Sequence, residues 1–176
     1  KLEESLFEYR LFDQDADSRM VSGNQFERLR SNFSMHPISE ISEVAYGISA
    51  AVSANTSPEI GWPIITGANI SIDGNLYFGK LVYHPEPKKE SFMLRRGDIL
   101  LNWRSGSAEH VGKAAIFSEE GNWTYASFIL RVRVNEEQNN QYLWRLLNFM
   151  RKRKLFGAAT SQQINFKMNA AYFRKV

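Results

Sequence analysis

The chain has 176 residues, of which 43% are hydrophobic and 13% aromatic, so we expect a folded globular domain and exclude a disordered chain. It has no cysteine, which excludes disulfide bonds and cysteine-ligated zinc and is compatible with a cytoplasmic protein. The net charge is only +3, and no run of about 18 apolar residues predicts a membrane span.

The N-terminal segment is predicted to be an arm followed by helices. Residues 1–22 are charged and weakly patterned, and we interpret them as an arm or joining segment. Because the chain starts at Lys1 and not at Met, we expect a piece of a longer polypeptide. Apolar spacing predicts a helix over Asn24–Phe33. Ser39 is expected to cap a short helical turn that runs through Val44.

The next segment alternates between loops and short strands. Residues 47–58 are small and polar and are predicted to form a loop. Pro63–Thr66 and Leu76–Phe78 are predicted strands, with a tight turn at Asp73–Asn75 between them. The segment Val82–Ser91 carries prolines and lysines and is predicted to be a loop.

A polar loop between two apolar strands is the most informative feature of the sequence. Gly97 and Asp98 predict a turn, and Ile99–Leu101 reads as a buried strand. Trp103–His110 carries an aromatic residue, an arginine, serines and a histidine, and Val111–Phe117 returns to an apolar strand. A rigid sheet that presents such a loop is better suited to recognition than to catalysis.

The remaining elements complete an α+β domain. Trp123–Val134 is predicted to be a strand, with Phe128, Leu130, Val132 and Val134 facing inward and Arg131 and Arg133 facing outward. Asn140–Phe156 is the strongest predicted helix, with Leu143, Leu146, Leu147 and Met150 at core spacing. The predicted fold is a single domain, residues 23–176, in which helices flank a twisted mixed or antiparallel sheet.

Positive charge is concentrated at the C-terminal end. No Asp or Glu follows Glu137, and the last 39 residues hold eight lysines and arginines. The preceding 137 residues hold fourteen basic and nineteen acidic residues. Such asymmetry is typical of a surface that binds an anionic partner. The basic tetrad Arg151–Lys154 has an alternative role, because cations at the end of a helix also complement its dipole.

Several motifs, taken in order, resemble the target recognition domain of type I restriction-modification specificity subunits. The first is the Gly-Asp-Ile-Leu strand, Arg-Ser-Gly loop and Val-Gly-Lys-Ala strand within Leu94–Phe117. The others are Gly61–Thr66 with Asn69, Ile70, Asp73 and Gly74, then Tyr142–Leu147, then Gly157–Asn165 with its glutamines and asparagine. The resemblance covers Ile38 to Val176.

The resemblance implies a DNA-binding module, without catalysis of its own, that reads one half of a split double-stranded target. It also implies a second recognition domain, adenine methyltransferase subunits and a restriction subunit that translocates DNA. No cofactor is implied here, because S-adenosylmethionine and ATP belong to the partner subunits. Spacer helices and a second domain are not seen in the sequence. Three origins of the chain therefore stay open: a single-domain fragment, a half-length subunit that dimerises, and a recognition domain fused to an adenine methyltransferase.

Side-chain chemistry selects the candidate DNA contacts, because arginine suits guanine edges and asparagine or glutamine suits adenine. The candidate base readers are Arg104, Gln162, Gln163 and Asn165. The candidate phosphate contacts, which position without specifying, are Lys80, Ser105, Ser107 and Lys113. His110 of the polar loop and Arg151 and Arg153 of the basic tail complete the set. Trp103 is expected to pack in the core.

Enzyme motifs fit poorly. Gly106–Lys113 has five residues between its glycines where a phosphate-binding P-loop needs about four, and Ala114 replaces the required Ser or Thr. Asp73, Glu86 and Lys88 could imitate a metal-dependent nuclease, but Glu86 and Lys88 flank a proline in a predicted loop. The three histidines have no spacing that predicts a metal site. The remaining rival is a protein-interaction module whose basic tail meets an acidic partner.

Overall fold

The computed structural model describes residues 36–49, 56–136, 138–153, 160–162, 166–168 and 170–174. The chain divides into two compact units, residues 1–36 and residues 37–176, and nearly all the described residues belong to the second. The predicted arm and the predicted helix Asn24–Phe33 lie outside the described residues, so the domain boundary at residue 23 stays a prediction.

The described part of the second unit is built from short strands and three helices. The strands are β1 (Ser42–Tyr46), β2 (Trp62–Ile65), β3 (Val82–His84), β4 (Ile99–Asn102), β5 (Arg104–Ser105), β6 (Ala114–Ile116), β7 (Thr124–Tyr125), β8 (Ile129–Val134), β9 (Thr160–Gln162) and β10 (Phe166–Met168). The helices are α1 (Ile38–Ile41), α2 (Asn140–Lys152) and α3 (Ala170–Phe173). Single 3-10 turns occur at Gly67–Asn69, Glu90–Phe92 and Ala108–His110.

The strands form three sheets. The central sheet has the order β1-β8-β4-β6 and is antiparallel throughout. A second sheet has the order β3-β2-β7, in which β2 pairs antiparallel with β3 and parallel with β7. A third, β5-β10-β9, is antiparallel. The predicted α+β class, with mixed and antiparallel sheets flanked by helices, is therefore confirmed.

Strand β4 is buried on both faces, which explains its uninterrupted apolar sequence. Ile99 and Leu101 pack with the α2 leucines, whereas Leu100 packs on the opposite face with Ile65 and Tyr125. Each fully buried leucine or isoleucine contributes about 1.5–3 kcal/mol of transfer free energy. The strand predicted from Ile99–Leu101 is thus confirmed as the centre of the core.

Helix α2 begins as predicted and covers an edge of the central sheet. The Asn139 side chain caps it by accepting a 3.1 Å hydrogen bond from the Tyr142 amide. Buried Asn148 donates a 2.8 Å hydrogen bond to the Ala114 carbonyl of the edge strand β6. Two predictions were wrong: the helix ends at Lys152, where Arg153 leaves helical geometry, and Leu146 is only half-buried, whereas Leu143 and Leu147 are buried.

The alternation predicted for Trp123–Val134 was wrong in two places. Phe128 is 47% exposed because residues 127–128 form a turn between β7 and β8. Arg131 is fully buried and donates to the Glu43 carboxylate. The strand face predicted to meet water is covered by the core cluster that contains Ile65, Leu100 and Tyr125. On the same face Arg133 is partly buried and bonded to Asp98, with Nε 2.8 Å from Oδ1.

Three local predictions also differ from the structure. Val44 lies in β1 and not in a helix, because the chain becomes extended at Ser42, whose hydroxyl donates to the Ile38 carbonyl at 2.7 Å. The loop predicted at Val82–Ser91 begins with β3, which pairs with β2. The strand predicted at Leu76–Phe78 is reduced to one bridge between Leu76 and Ile70, around a turn in which Gly74 has φ +83°.

Candidate nucleic-acid interface

The start of the predicted recognition loop is a strand of the third sheet. The chain leaves the buried strand β4 at Asn102, and Arg104–Ser105 then pairs with β10. Trp103, between them, is partly buried against the core, and its indole donates a 2.6 Å hydrogen bond to the Ser127 carbonyl. The expected core role of Trp103 is confirmed, and its packing anchors the backbone immediately before Arg104.

The third sheet brings together two segments that are far apart in sequence. Arg104 is paired with Lys167 of β10, and Lys167 with Ser161 of β9. These positions share one face of the sheet, because directly opposed residues in antiparallel strands do so. Ser105 and Gln162 both oppose Phe166 and therefore occupy positions on the other face. Arg104 and Gln162 thus lie in one small sheet but at positions on opposite faces.

Arg104 differs from four other arginines of the domain in what its guanidinium contacts. Among the residues that the structure describes, four arginines pair with carboxylates: Arg95 with Glu90, Arg96 with Glu120, Arg131 with Glu43 and Arg133 with Asp98. Within the described part of the chain, the Arg104 guanidinium has neither a carboxylate partner nor a hydrogen bond, and it lies 5.0 Å from the ring centroid of Phe128. A guanidinium that stacks through its face keeps the N–H donors at its edge for a ligand.

The rest of the loop is organised by local hydrogen bonds. The Ser105 hydroxyl oxygen accepts from the Ser107 amide at 3.3 Å, and the His110 amide donates to the Ser107 carbonyl at 3.2 Å. The His110 ring lies 3.7 Å from a carboxylate oxygen of Glu109. All three candidate side chains of this loop are at least partly exposed, so a ligand can reach them.

Lys113, for which a phosphate contact is predicted, is buried and already hydrogen-bonded within the domain. Only 5% of the residue is exposed, and its ammonium donates to the backbone carbonyls of Gly67 and Ile70. Burial, with a smaller contribution from the positive charge of Arg151, lowers the pKa of Lys113. A side chain held in this way fastens the 67–70 segment to the residue that immediately precedes β6.

Arg151 also has a structural role in this conformation. Its guanidinium donates to the carbonyls of Glu109, at 3.3 Å, and Ile72, and so ties two loops to helix α2. Arg153, two residues later in the chain, is exposed, and its guanidinium lies 5.5 Å from the Phe149 ring centroid. The two arginines of the basic tetrad therefore differ: Arg151 is structural, and Arg153 is exposed.

Three candidate DNA contacts remain: Lys80, Gln163 and Asn165. Lys80 is exposed, and its backbone carbonyl accepts a 3.2 Å hydrogen bond from Asn69. Gln163 and Asn165 lie outside the described residues. Sequence reasoning missed Ser161 and Lys167 as neighbours of Arg104 and Phe128 as its stacking partner. The alternation of Lys167 with apolar Phe166 and Met168 was the one signal for β10, whereas nothing in the sequence signalled the pairing with β5.

The described residues form neither a metal site nor a membrane-spanning helix. Across the described residues, no group of three or more His, Asp or Glu side chains is arranged to hold a metal ion. In the same part of the chain, no helix has the length and apolar character needed to cross a membrane.

Solved structures of type I restriction-modification specificity subunits share this fold. The HsdS subunit from Thermoanaerobacter tengcongensis matches 98% of the chain with a TM-score of 0.62 and 16% identity. A chain from a structure of type I restriction-modification complex assembly and conformational transition matches 99% with a TM-score of 0.61 and 16% identity. The S subunit from M. genitalium matches 80% with a TM-score of 0.54 and 10% identity.

The present chain spans only 43%, 37% and 32% of the lengths of the complex chain, the T. tengcongensis chain and the M. genitalium chain, respectively. No protein-family model and no curated protein matches the sequence. The fold predicted from the resemblance, that of the target recognition domain of a specificity subunit, is confirmed at the level of architecture.

Proposed function

We propose that this domain is a sequence-reading, DNA-binding module of a type I restriction-modification system, and that it has no catalytic activity of its own. The observation that carries the proposal is Arg104. It lies on a sheet of a fold shared with specificity subunits, and no described carboxylate neutralises it. A guanidinium in that state binds an acceptor pair, and guanine offers one in the major groove through O6 and N7.

The candidate contacts form two groups, those proposed to read bases and those proposed to bind phosphates. Arg104 is the proposed guanine reader, and Gln162, Gln163 and Asn165 are the proposed adenine readers. The exposed or partly exposed residues Lys80, Ser105, Ser107, His110 and Arg153 are proposed to meet phosphates, which fix the orientation of the domain without specifying sequence. Lys113 and Arg151 are left out because their cationic groups already bind carbonyl oxygens.

The proposal also includes the complex to which this domain would belong. Because the chain covers less than half of each specificity subunit it resembles, a second recognition domain is proposed to read the other half of the target. Adenine methyltransferase subunits and a restriction translocase are the proposed partners in the cytoplasm. S-adenosylmethionine and ATP would be bound by those partners, and no cofactor is assigned to this domain.

Titration of a labelled duplex at two salt concentrations tests the proposal. Neutralising phosphates releases counterions, so the affinity of the full chain should fall steeply as salt increases. At physiological salt we expect a non-specific Kd of about 10⁻⁴ to 10⁻⁶ M. Arg104→Ala should weaken binding, whereas the matched control Arg96→Ala should not, because Arg96 already pairs with Glu120. An affinity that does not change with salt would contradict the proposal.

A further inference from the structure

Phe128 is a large apolar side chain in an unusual place. It is 47% exposed in the two-residue turn Ser127–Phe128, although the chain leaves β7 at Tyr125 and enters β8 at Ile129, and both strands are buried at these residues. Exposure of one aromatic ring is common on protein surfaces and implies nothing by itself. What distinguishes Phe128 is the rigidity of its turn and the identity of its neighbour.

The turn is fixed by hydrogen bonds from two directions. The Ser127 amide donates to the Ile48 carbonyl at 2.8 Å, and the Ser127 carbonyl accepts from the Trp103 indole at 2.6 Å. The Phe128 carbonyl accepts from the Trp103 amide at 3.1 Å. The Trp103 ring is itself held edge-on against Tyr46, with centroids 5.3 Å apart. The backbone of Phe128 is therefore fastened to the residue that immediately precedes Arg104.

The Phe128 ring is placed to orient Arg104. At 5.0 Å from the ring centroid, the guanidinium lies within the cation–π range of about 6 Å. Because the ring offers no oxygen or nitrogen acceptor, this contact leaves the N–H groups of the guanidinium available for acceptors. A long side chain that is already ordered loses less conformational freedom when it binds. A stacked Arg104 is thus prepared for a bidentate contact in a way that a freely rotating arginine is not.

We propose that Phe128 is a positioning residue for Arg104, and that the two side chains read DNA sequence as one unit. The proposal rests on the proposed function. Loss of the ring should reduce discrimination between DNA sequences and leave non-specific binding intact, because only base readout depends on the direction of the guanidinium edge. Ordering one side chain costs about 0.5–1.5 kcal/mol, so the expected loss of discrimination is roughly 2- to 12-fold.

The first measurement needs no DNA. In the free chain, NMR should show the δ protons of Arg104 shifted upfield by the ring current of Phe128. Phe128→Leu keeps an apolar side chain but removes the ring, so it should abolish the shift. Phe128→Tyr keeps the ring and should preserve it. Thermal unfolding of both variants should match the wild type, because the side chain is exposed. An unshifted wild-type resonance would overturn the stacking on which the proposal depends.

The second measurement uses two duplexes and the full chain. One is the duplex that the wild type enriches most strongly from a random-sequence library, and the other is its composition-matched scramble. Phe128→Leu should lower the affinity ratio between them by roughly 2- to 12-fold without changing the affinity for the scramble. Phe128→Tyr should keep the wild-type ratio, and Phe128→Leu should add nothing in an Arg104→Ala background.

The outcomes separate the proposal from the function on which it rests. If the wild type discriminates between the duplexes and Phe128→Leu keeps the full ratio, or lowers both affinities equally, Phe128 does not position Arg104. If the wild type enriches no duplex, the proposed reading function fails and the role of Phe128 fails with it.

Discussion

The Nζ atom of Lys113 donates a 3.0 Å hydrogen bond to the backbone carbonyl of Gly67, 46 residues earlier in the chain. The same ammonium binds the Ile70 carbonyl. A Cβ atom on Gly67 would lie 3.2 Å from the Asn102 side chain, so the segment passes close to the end of β4. Lys113 therefore stabilises the packing of the 67–70 segment near the end of β4, where the polar loop Trp103–His110 begins.

Lys113→Ala should accordingly destabilise the domain and leave its response to salt unchanged. The change leaves two carbonyls without their cationic donor, at a cost of about 1–3 kcal/mol in the free energy of unfolding. Urea denaturation measures that cost, and DNA titration at several salt concentrations measures the slope. The control Lys80→Ala removes an exposed ammonium and should change stability by less than about 0.5 kcal/mol. A stable Lys113→Ala variant with a slope reduced by about one unit would instead mean that Lys113 meets a phosphate.

The two arginines at the end of α2 should behave differently. Arg151→Ala removes contacts with the carbonyls of Ile72 and Glu109, and it should lower the melting temperature. Arg153→Ala should leave the melting temperature nearly unchanged and weaken binding to all duplexes alike, as expected for a phosphate contact. Calorimetry and DNA titration of the two single variants distinguish these effects. Equal loss of stability in both variants would mean that both arginines are structural.

Two adjacent leucines provide a test of the helix packing. Leu147 is 1% exposed within the core cluster, so Leu147→Ala should cost about 2–5 kcal/mol. Leu146 is only half-buried, and Leu146→Ala should cost clearly less, because its site is open to solvent on one side. Urea unfolding of the two variants compares them directly. A larger loss for Leu146 would mean that the helix is rotated from the orientation described.

The ion pair between Asp98 and Arg133 is expected to matter for folding. Asp98 is 1% exposed, and it accepts hydrogen bonds from Arg133 and from the Arg95 amide. Asp98→Asn removes the charge that compensates a partly buried guanidinium and should cost about 3 kcal/mol. Glu120→Gln, in the exposed pair with Arg96, should cost less than about 1 kcal/mol. Similar denaturation midpoints for both variants would show that the Asp98 pair contributes no more than an exposed one.

The sequence predicted the elements whose signals are local. The turn at Gly97, the apolar run of β4 and the start of helix α2 at Asn140 each depend on neighbouring residues, and the structure contains all three. Some of the failures concern residues whose surroundings come from distant segments. The outward position predicted for Arg131 was wrong because a second layer covers that face.

The candidate site shows the same division. Residue chemistry selected Arg104 and Gln162 as candidate base readers in two separate segments. It did not predict that they lie in one sheet, because pairing across more than 50 residues leaves no local pattern. Lys113 could not be distinguished from a surface lysine, since its partners are backbone carbonyls that any sequence provides. Whether the assigned residues contact DNA stays a prediction.

Methylation mapping tests the central claim most directly, namely that this domain selects DNA sequence through Arg104. The assembled methyltransferase complex carrying wild-type, Arg104→Ala or Arg96→Ala protein would be used to modify genomic DNA. Arg104→Ala should relax the target at a single guanine position, a loss of about 1–3 kcal/mol in discrimination, while Arg96→Ala should reproduce the wild-type sites. An Arg104→Ala complex that methylates the same sites with unchanged preference would contradict the claim.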